Sequence, residues 1–202
     1  MKRALDVVLS AVALLALAPV FLVVAVAIKL DHPGPVFYRG ERVGLRGKPF
    51  RIFKFRTMVV DAERRGGPST AGDDPRITRT GRWIRRFNLD ELAQFLNVLK
   101  GEMSIVGPRP EVPHYVALFT EEEQAILSVR PGITDWATLW IRDEGQILAG
   151  SPDPERAYFE KVWPEKHRLA LEYVRRRSLL VDAQIMLRTL KVHLVDRFHR
   201  RG

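Results

Sequence analysis

Between Val7 and Ile28 the chain carries no charged residue. A run of about 22 apolar positions reaches across the hydrocarbon core of a bilayer as a helix, so the first question is how the rest of the chain is attached to a membrane. Ala16-Leu17-Ala18 has the small-x-small form of a signal-peptidase site. Pro19 would follow the cut directly, however, and the apolar run continues to Ile28, which opposes cleavage. Lys2 and Arg3 precede the run, and Lys29, Arg39, Arg42, Arg46 and Lys48 follow it. Basic residues favour the cytoplasmic side, and here both flanks are basic. Pro19, near the middle, removes a backbone donor and bends the helix. A bent helix that enters and returns through one leaflet satisfies both flanks; a straight anchor leaves Lys2 and Arg3 outside.

The 202 residues are 46% hydrophobic, enough for one core, and no composition shift argues for two independent domains. The formal charge of +9 points to an anionic partner: nucleic acid, a membrane surface or a phosphorylated substrate. There is no cysteine, which excludes disulfides and thiolate metal sites, and the five histidines lack metal-ligand spacing. A membrane-tethered nucleic-acid binder would fit the charge, but no zinc finger or RNP pattern is present, and such a role leaves the acidic residues among the arginines unexplained. Arg42 and Pro49 stand where a P-loop around Gly47-Lys48 needs Gly and Ser or Thr.

The segment RRFNLDELAQFLNVLKGEMSIVGPRPE, residues 85–111, concentrates the chemistry. Asn88 followed by Glu91 reads as a capping box, with Leu92, Phe95, Leu96 and Leu99 on one helical face and Gly101 as the stop. Asp90 and Glu91 then either complement the positive helix end or serve a reaction, because a helix start keeps a carboxylate ionised and offers N–H groups to phosphate. Arg82, Arg85 and Arg86 lie just before the pair. Pro108 and Pro110 restrict the backbone around Arg109, and a fixed guanidinium suits bidentate phosphate binding.

The blocks KFRTM, DDPRITRTGRWIRR, LDELAQFLNVLKGEMSIVGPRPE, RPGIT and YVRRRSLLVDAQIMLRTLK occur in this order along nearly the whole chain. In this the sequence resembles the bacterial sugar transferases known as small monotopic phosphoglycosyl transferases. The resemblance implies an α/β fold, mostly helical, with a re-entrant membrane helix (residues 1–30) before a small membrane-associated catalytic domain (residues 31–202). It implies transfer of a phosphosugar from a nucleotide diphosphate sugar, usually a UDP-sugar, to polyprenol phosphate at the cytoplasmic face of the inner membrane, with Mg²⁺ and release of UMP, as a first membrane step of glycoconjugate or polysaccharide assembly. The family's dyad falls on Asp90 and Glu91: Asp90 as nucleophile, Glu91 as its partner, both at the metal. Arg109 and Arg85, with Lys54 and Arg142 behind them, are the phosphate-binding candidates. Membrane lipids are implied partners, nucleic acid is not, and a homo-oligomer is compatible.

Two departures stand out. The family often reads P-G-I-T-G-W-A-Q, where this chain has Asp135 and Thr138 in place of Gly and Gln; and Ala93 stands where Pro is common. The first touches the choice of sugar, the second only helix propensity. The arginine-rich C-terminal third reads either as a core-packing helix with a charged outer face or as a helix lying on anionic lipid.

Overall fold

Residues Lys2–Asp31 form one helix of 30 residues, α1, with Pro19 inside it, in a computed structural model that describes residues 1–66, 70–141 and 147–192. The middle of α1 faces outward, with Leu15 78% and Leu22 67% exposed. Both of its ends are fastened to the same body. At the start, Lys2 Nζ meets Asp182 Oδ2 at 2.6 Å and the Val106 carbonyl at 3.1 Å, while Asp6 accepts hydrogen bonds from Ser104 Oγ (2.8 Å) and the Ile105 N–H (3.2 Å). Arg3 donates to the Leu99 carbonyl at 3.1 Å. At the other end, Val24 and Ile28 join Phe55, Ile84 and Ala93 in a buried cluster, and Phe21 meets Phe55 edge-on at 4.9 Å. Asp31 accepts from the Thr80 N–H at 2.9 Å, and the buried Arg56 donates to the carbonyls of His32 and Pro33 at 2.6 and 2.9 Å.

Three small two-stranded sheets follow among the described residues. β1 (Phe37–Tyr38) pairs antiparallel with β4 (Lys54–Phe55), and β2 (Glu41–Val43) with β3 (Pro49–Arg51). β5 (Ser104–Val106) pairs in parallel with β6 (Gly132–Thr134), Ser104 opposite Gly132 and Val106 opposite Thr134. Just past β5 the two chains come unusually close: a Cβ on Gly132 would fall 2.1 Å from the Gly107 nitrogen, so neither position has room for a side chain.

The helices are short apart from α1 and two near the C-terminus. α2 (Arg79–Arg86) is capped by Thr78, whose hydroxyl accepts from the Gly81 N–H at 3.0 Å. A 3₁₀ segment (Leu89–Gln94) leads into α3 (Phe95–Lys100), and α4 (Pro113–Val116) and α5 (Trp136–Trp140) are single turns. α6 (Pro154–Lys161) and α7 (Trp163–Arg176) pack Ala157, Tyr158 and Val162 around Tyr115 and Leu148. α8 (Leu179–Lys191), capped by Ser178, buries Ile185 against Val106 and Tyr173 and leaves Leu180, Leu187 and Leu190 exposed. The mixture of helices and small sheets agrees with the α/β, mostly helical expectation.

Around residue 88 the structure corrects the sequence reading. Asn88 sits in the left-handed region (φ 51°) and makes no side-chain cap, and Glu91 turns away from it, so no capping box forms. The segment starts as a 3₁₀ helix, whose three-residue turn shifts the buried face out of the 3.6-residue phase. Ala93, Gln94, Asn97 and Val98 are buried instead, and Leu99, assigned to the inner face by its spacing, is 38% exposed. Asn97 goes inward because it links two elements. Its amide donates to the Arg51 carbonyl (2.9 Å) and Glu102 (2.7 Å), and its oxygen accepts from the Phe53 N–H (2.7 Å).

Candidate active site

Four elements bring the charged residues together. Lys54 comes from β4, Arg85 from the last turn of α2, Asp90 and Glu91 from the first turn of the 3₁₀ segment, and Arg109 from the loop after β5. Gly81 makes the placement of Arg85 possible. A Cβ there would lie 1.9 Å from the Thr57 carbonyl oxygen, so only glycine lets α2 lie this close to the KFRT segment. The result is a 2.8 Å hydrogen bond from Arg85 Nε to Thr57 Oγ1.

The two adjacent carboxylates have different surroundings. Glu91 is saturated: Arg109 grips it with both terminal nitrogens, Nη1 to Oε2 at 3.1 Å and Nη2 to Oε1, while Lys54 Nζ reaches Oε1 at 3.0 Å. Burial alone would raise the Glu91 pKa, but the charges of Arg109 and Lys54 outweigh it and hold the group well below the usual carboxylate range. Asp90 accepts no hydrogen bond among the described residues. Burial pushes its pKa above the ordinary value and the charge of Glu91 adds to this, against the opposing charges of Lys54, Arg85 and Arg109. Burial also lowers the Lys54 ammonium, in spite of the Glu91 charge beside it. The adjacent residues thus divide into one fixed, ionised group and one whose side chain takes no hydrogen bond among the described residues, both facing three cations.

The loop that carries Arg109 is held at several points. The Gly107 N–H donates to the Thr134 carbonyl (3.1 Å), and the Pro108 carbonyl accepts from the Gly132 N–H (2.9 Å). The Arg109 N–H points at Asp135 Oδ2 at 3.3 Å. The Glu111 carbonyl accepts from the Val43 N–H at 3.0 Å, and its buried carboxylate meets Lys166 Nζ at 2.5 Å and the Tyr158 hydroxyl at 3.1 Å. Burial pushes the Glu111 pKa up, but the charge and hydrogen bond of Lys166, with His167 and the Tyr158 hydroxyl, together hold this carboxylate below the usual range.

Five of the six candidate residues therefore converge: Lys54, Arg85, Asp90, Glu91 and Arg109. Arg142 lies outside the described residues. Sequence reasoning gave no role to Thr57, Lys166 or Asp182, and it read Asp135 only as a departure from a pattern. Asp182 accepts from Lys2 and, at 2.8 Å, from the Tyr173 hydroxyl. Thr57 lies inside a quoted block and its partner Arg85 was singled out, but pairing them required the Gly81 contact, which no spacing reveals.

For a divalent cation the described residues offer no group of three or more acidic or histidine ligands. Mg²⁺ is commonly held by one or two carboxylates together with phosphate oxygens and water. Asp90 and Glu91 fit that pattern, with Asp90 the less engaged of the two.

The family model for bacterial sugar transferases matches residues 1–196. The chain is 40% identical over 203 residues to the undecaprenyl-phosphate glucose phosphotransferase of Komagataeibacter xylinus, covering 97% of this chain and 36% of that protein. It is 40% identical over 198 residues to the UDP-glucose:undecaprenyl-phosphate glucose-1-phosphate transferase of Escherichia coli K12, covering 94% and 39%. It is 36% identical to the uncharacterized sugar transferase EpsL of Bacillus subtilis, covering 97% and 88%. The chain thus spans well under half the length of the two glucose transferases and most of the length of EpsL. With the family model matched over nearly its whole length, the chain belongs to the bacterial sugar transferase family.

Proposed function

We propose that the protein transfers a phosphosugar from a nucleotide diphosphate sugar, a UDP-sugar, to polyprenol phosphate through a covalent intermediate on Asp90. The observation that carries this reading is the division within the pair: Glu91 is saturated by Arg109 and Lys54, while Asp90 has no hydrogen-bond partner among the described residues and faces cations. The printed names of the glucose transferases from K. xylinus and E. coli support the donor and acceptor classes.

In the first step an Asp90 oxygen attacks the sugar-linked phosphorus. An oxygen–phosphorus bond forms, the diphosphate bridge breaks, and UMP leaves with the bridging oxygen. In the second step an oxygen of polyprenol phosphate attacks the same phosphorus, and the acyl-phosphate bond breaks to restore the Asp90 carboxylate. Two displacements let one site serve a soluble donor and a membrane-bound acceptor in turn. Arg109, Arg85 and Lys54 bind phosphate oxygens and offset the charge that brings an anionic nucleophile to an anionic diphosphate. Mg²⁺ held at Asp90, Glu91 and the diphosphate would supply further charge neutralisation. Engagement of the donor by Arg109 and Lys54 requires that they share their hold on Glu91 with the phosphate oxygens.

The fastening of both ends of α1 to one body supports a re-entrant helix over a straight anchor, and with it a site at the cytoplasmic face of the inner membrane. A spanning helix would carry one of these ends to the far side of the bilayer. The exposed Leu180, Leu187 and Leu190 of α8, beside Arg188 and Lys191, suit a helix lying on anionic lipid. The reading is tested by supplying purified protein with polyprenol phosphate, Mg²⁺ and a panel of UDP-sugars. One or more should release UMP, chelation by EDTA should stop it, and Asp90→Asn should abolish it. UMP release that survives Asp90→Asn would refute the assignment.

A further inference from the structure

Asp135 is 1% exposed and both of its carboxylate oxygens are engaged. Oδ1 takes the backbone N–H and the hydroxyl of Thr138, each at 2.7 Å, which starts α5. Oδ2 takes the backbone N–H of Arg109 at 3.3 Å. The paired strands explain how residues so far apart in sequence meet. β5 and β6 run in parallel, so the residues just beyond their ends, Gly107 to Arg109 on one and Asp135 on the other, emerge side by side. The Gly107 N–H to Thr134 carbonyl and Gly132 N–H to Pro108 carbonyl hydrogen bonds hold the two segments together there.

We propose that Asp135 is a positioning residue for Arg109, and that Thr138 is the second part of the same device. Pro108 and Pro110 limit the backbone torsions around Arg109, but torsions alone do not fix where its Cα sits relative to the 3₁₀ segment that carries the dyad. Backbone hydrogen bonds hold Gly107, Pro108 and Glu111 on either side, the Asp135 hydrogen bond adds an anchor at Arg109 itself, and the guanidinium spans from it to Glu91. Thr138 holds the Asp135 carboxylate in the rotamer that faces Arg109. The two residues that replace the common Gly and Gln therefore touch one another and act as a unit on the backbone of the Pro-Arg-Pro loop. This inference rests on reading Arg109 as a ligand of the donor phosphate.

The substitution Asp135→Asn separates hydrogen bonding from shape, because a side-chain amide accepts only through its single oxygen. If that oxygen serves Thr138, the NH₂ faces the Arg109 N–H donor to donor; if it serves Arg109, the NH₂ faces the Thr138 N–H instead, and only the Thr138 hydroxyl can turn to accept from it. The test is a double-mutant cycle on the full-length protein in lipid nanodiscs, with the most active UDP-sugar of a panel and with UDP plus Mg²⁺ as a binding probe. In the wild-type background, Asp135→Asn should lower kcat/KM for the donor about tenfold and weaken UDP to a similar degree, and Thr138→Val should cost about threefold. In an Arg109→Lys background, itself strongly impaired, the same two substitutions should cost less than about twofold, because the group they position is already gone. Equal fold-losses in both backgrounds, or wild-type kcat/KM for Asp135→Asn, would overturn the proposal while leaving Arg109 as a phosphate ligand. Undiminished activity of Arg109→Lys and Arg109→Ala alone would instead remove the reading on which it rests. Should Asp135→Asn fail to fold, the Thr138→Val cycle decides by the same criteria.

Discussion

Lys2 and Asp182 stand 180 positions apart in the sequence and meet at 2.6 Å. The contact ties the first turn of the apolar helix to the last described helix, and the chain returns to the same body at Asp31 and Thr80. Topology follows from this. The chain has no cysteine, so Ala4→Cys and Lys48→Cys are clean reporters. Both should react with a membrane-impermeant maleimide from the cytoplasmic side only; labelling of position 4 from outside would mean a spanning anchor.

Asp182 also bears on stability. Removing it strands Lys2, which can reach water, and frees the Tyr173 hydroxyl, which keeps its 3.1 Å bond to the Val106 carbonyl. Because both partners have a fallback, Asp182→Ala should cost about 1–3 kcal/mol in denaturant unfolding rather than the larger penalty of an uncompensated buried charge. A loss below about 0.5 kcal/mol would show that the contact does not fasten the helix.

The opposite pKa shifts within the dyad make opposite predictions for pH. Glu91, held low, contributes stability that is present above the unfolded value of about 4.3 and is lost as pH falls toward the folded value. Asp90, raised by burial, is the reverse: its ionised form costs stability at neutral pH, and protonation removes the cost. Asp90→Asn should therefore keep or raise Tm at pH 7.5, with the gain shrinking as pH falls through the folded Asp90 pKa. A lower Tm at neutral pH would mean that the Asp90 charge is structural. Turnover should show an acidic limb above the ordinary aspartate range.

Arg109 and Arg156 test which cations matter. Arg156 pairs with Glu160 on an exposed helix face, so Arg156→Ala should leave turnover unchanged. Arg109→Ala removes a bidentate, charge-assisted contact and should lower kcat/KM by about 100-fold or more. Similar small effects at both sites would reduce Arg109 to a structural partner of Glu91.

The residues of the site were readable in the sequence more fully than the geometry that joins them. The apolar run, the Gly-Pro-Arg-Pro segment and the dyad all stand out in one dimension, because each is a local pattern. What misled was also local: Asn88 and Glu91 have capping-box spacing, yet Glu91 finds two cations from β4 and the loop after β5, and those contacts override the cap. The inner face of α3 was misassigned because a 3₁₀ turn shifted its phase and because Asn97 is buried to link Arg51, Phe53 and Glu102. Asp135 and Lys166 could not be found by spacing, since each acts on a loop more than twenty residues away.

The central claim, that Asp90 is the nucleophile, is tested most directly by giving the protein its active UDP-sugar and Mg²⁺ without polyprenol phosphate, quenching, and measuring both UMP and peptide mass. A two-step exchange should release at most about one UMP per site and leave the mass of a phosphosugar on the peptide that contains Asp90, with neither seen in Asp90→Asn. UMP that appears only when the acceptor is present, with no adduct on Asp90 even at low temperature, would contradict the account and establish direct transfer between the two substrates.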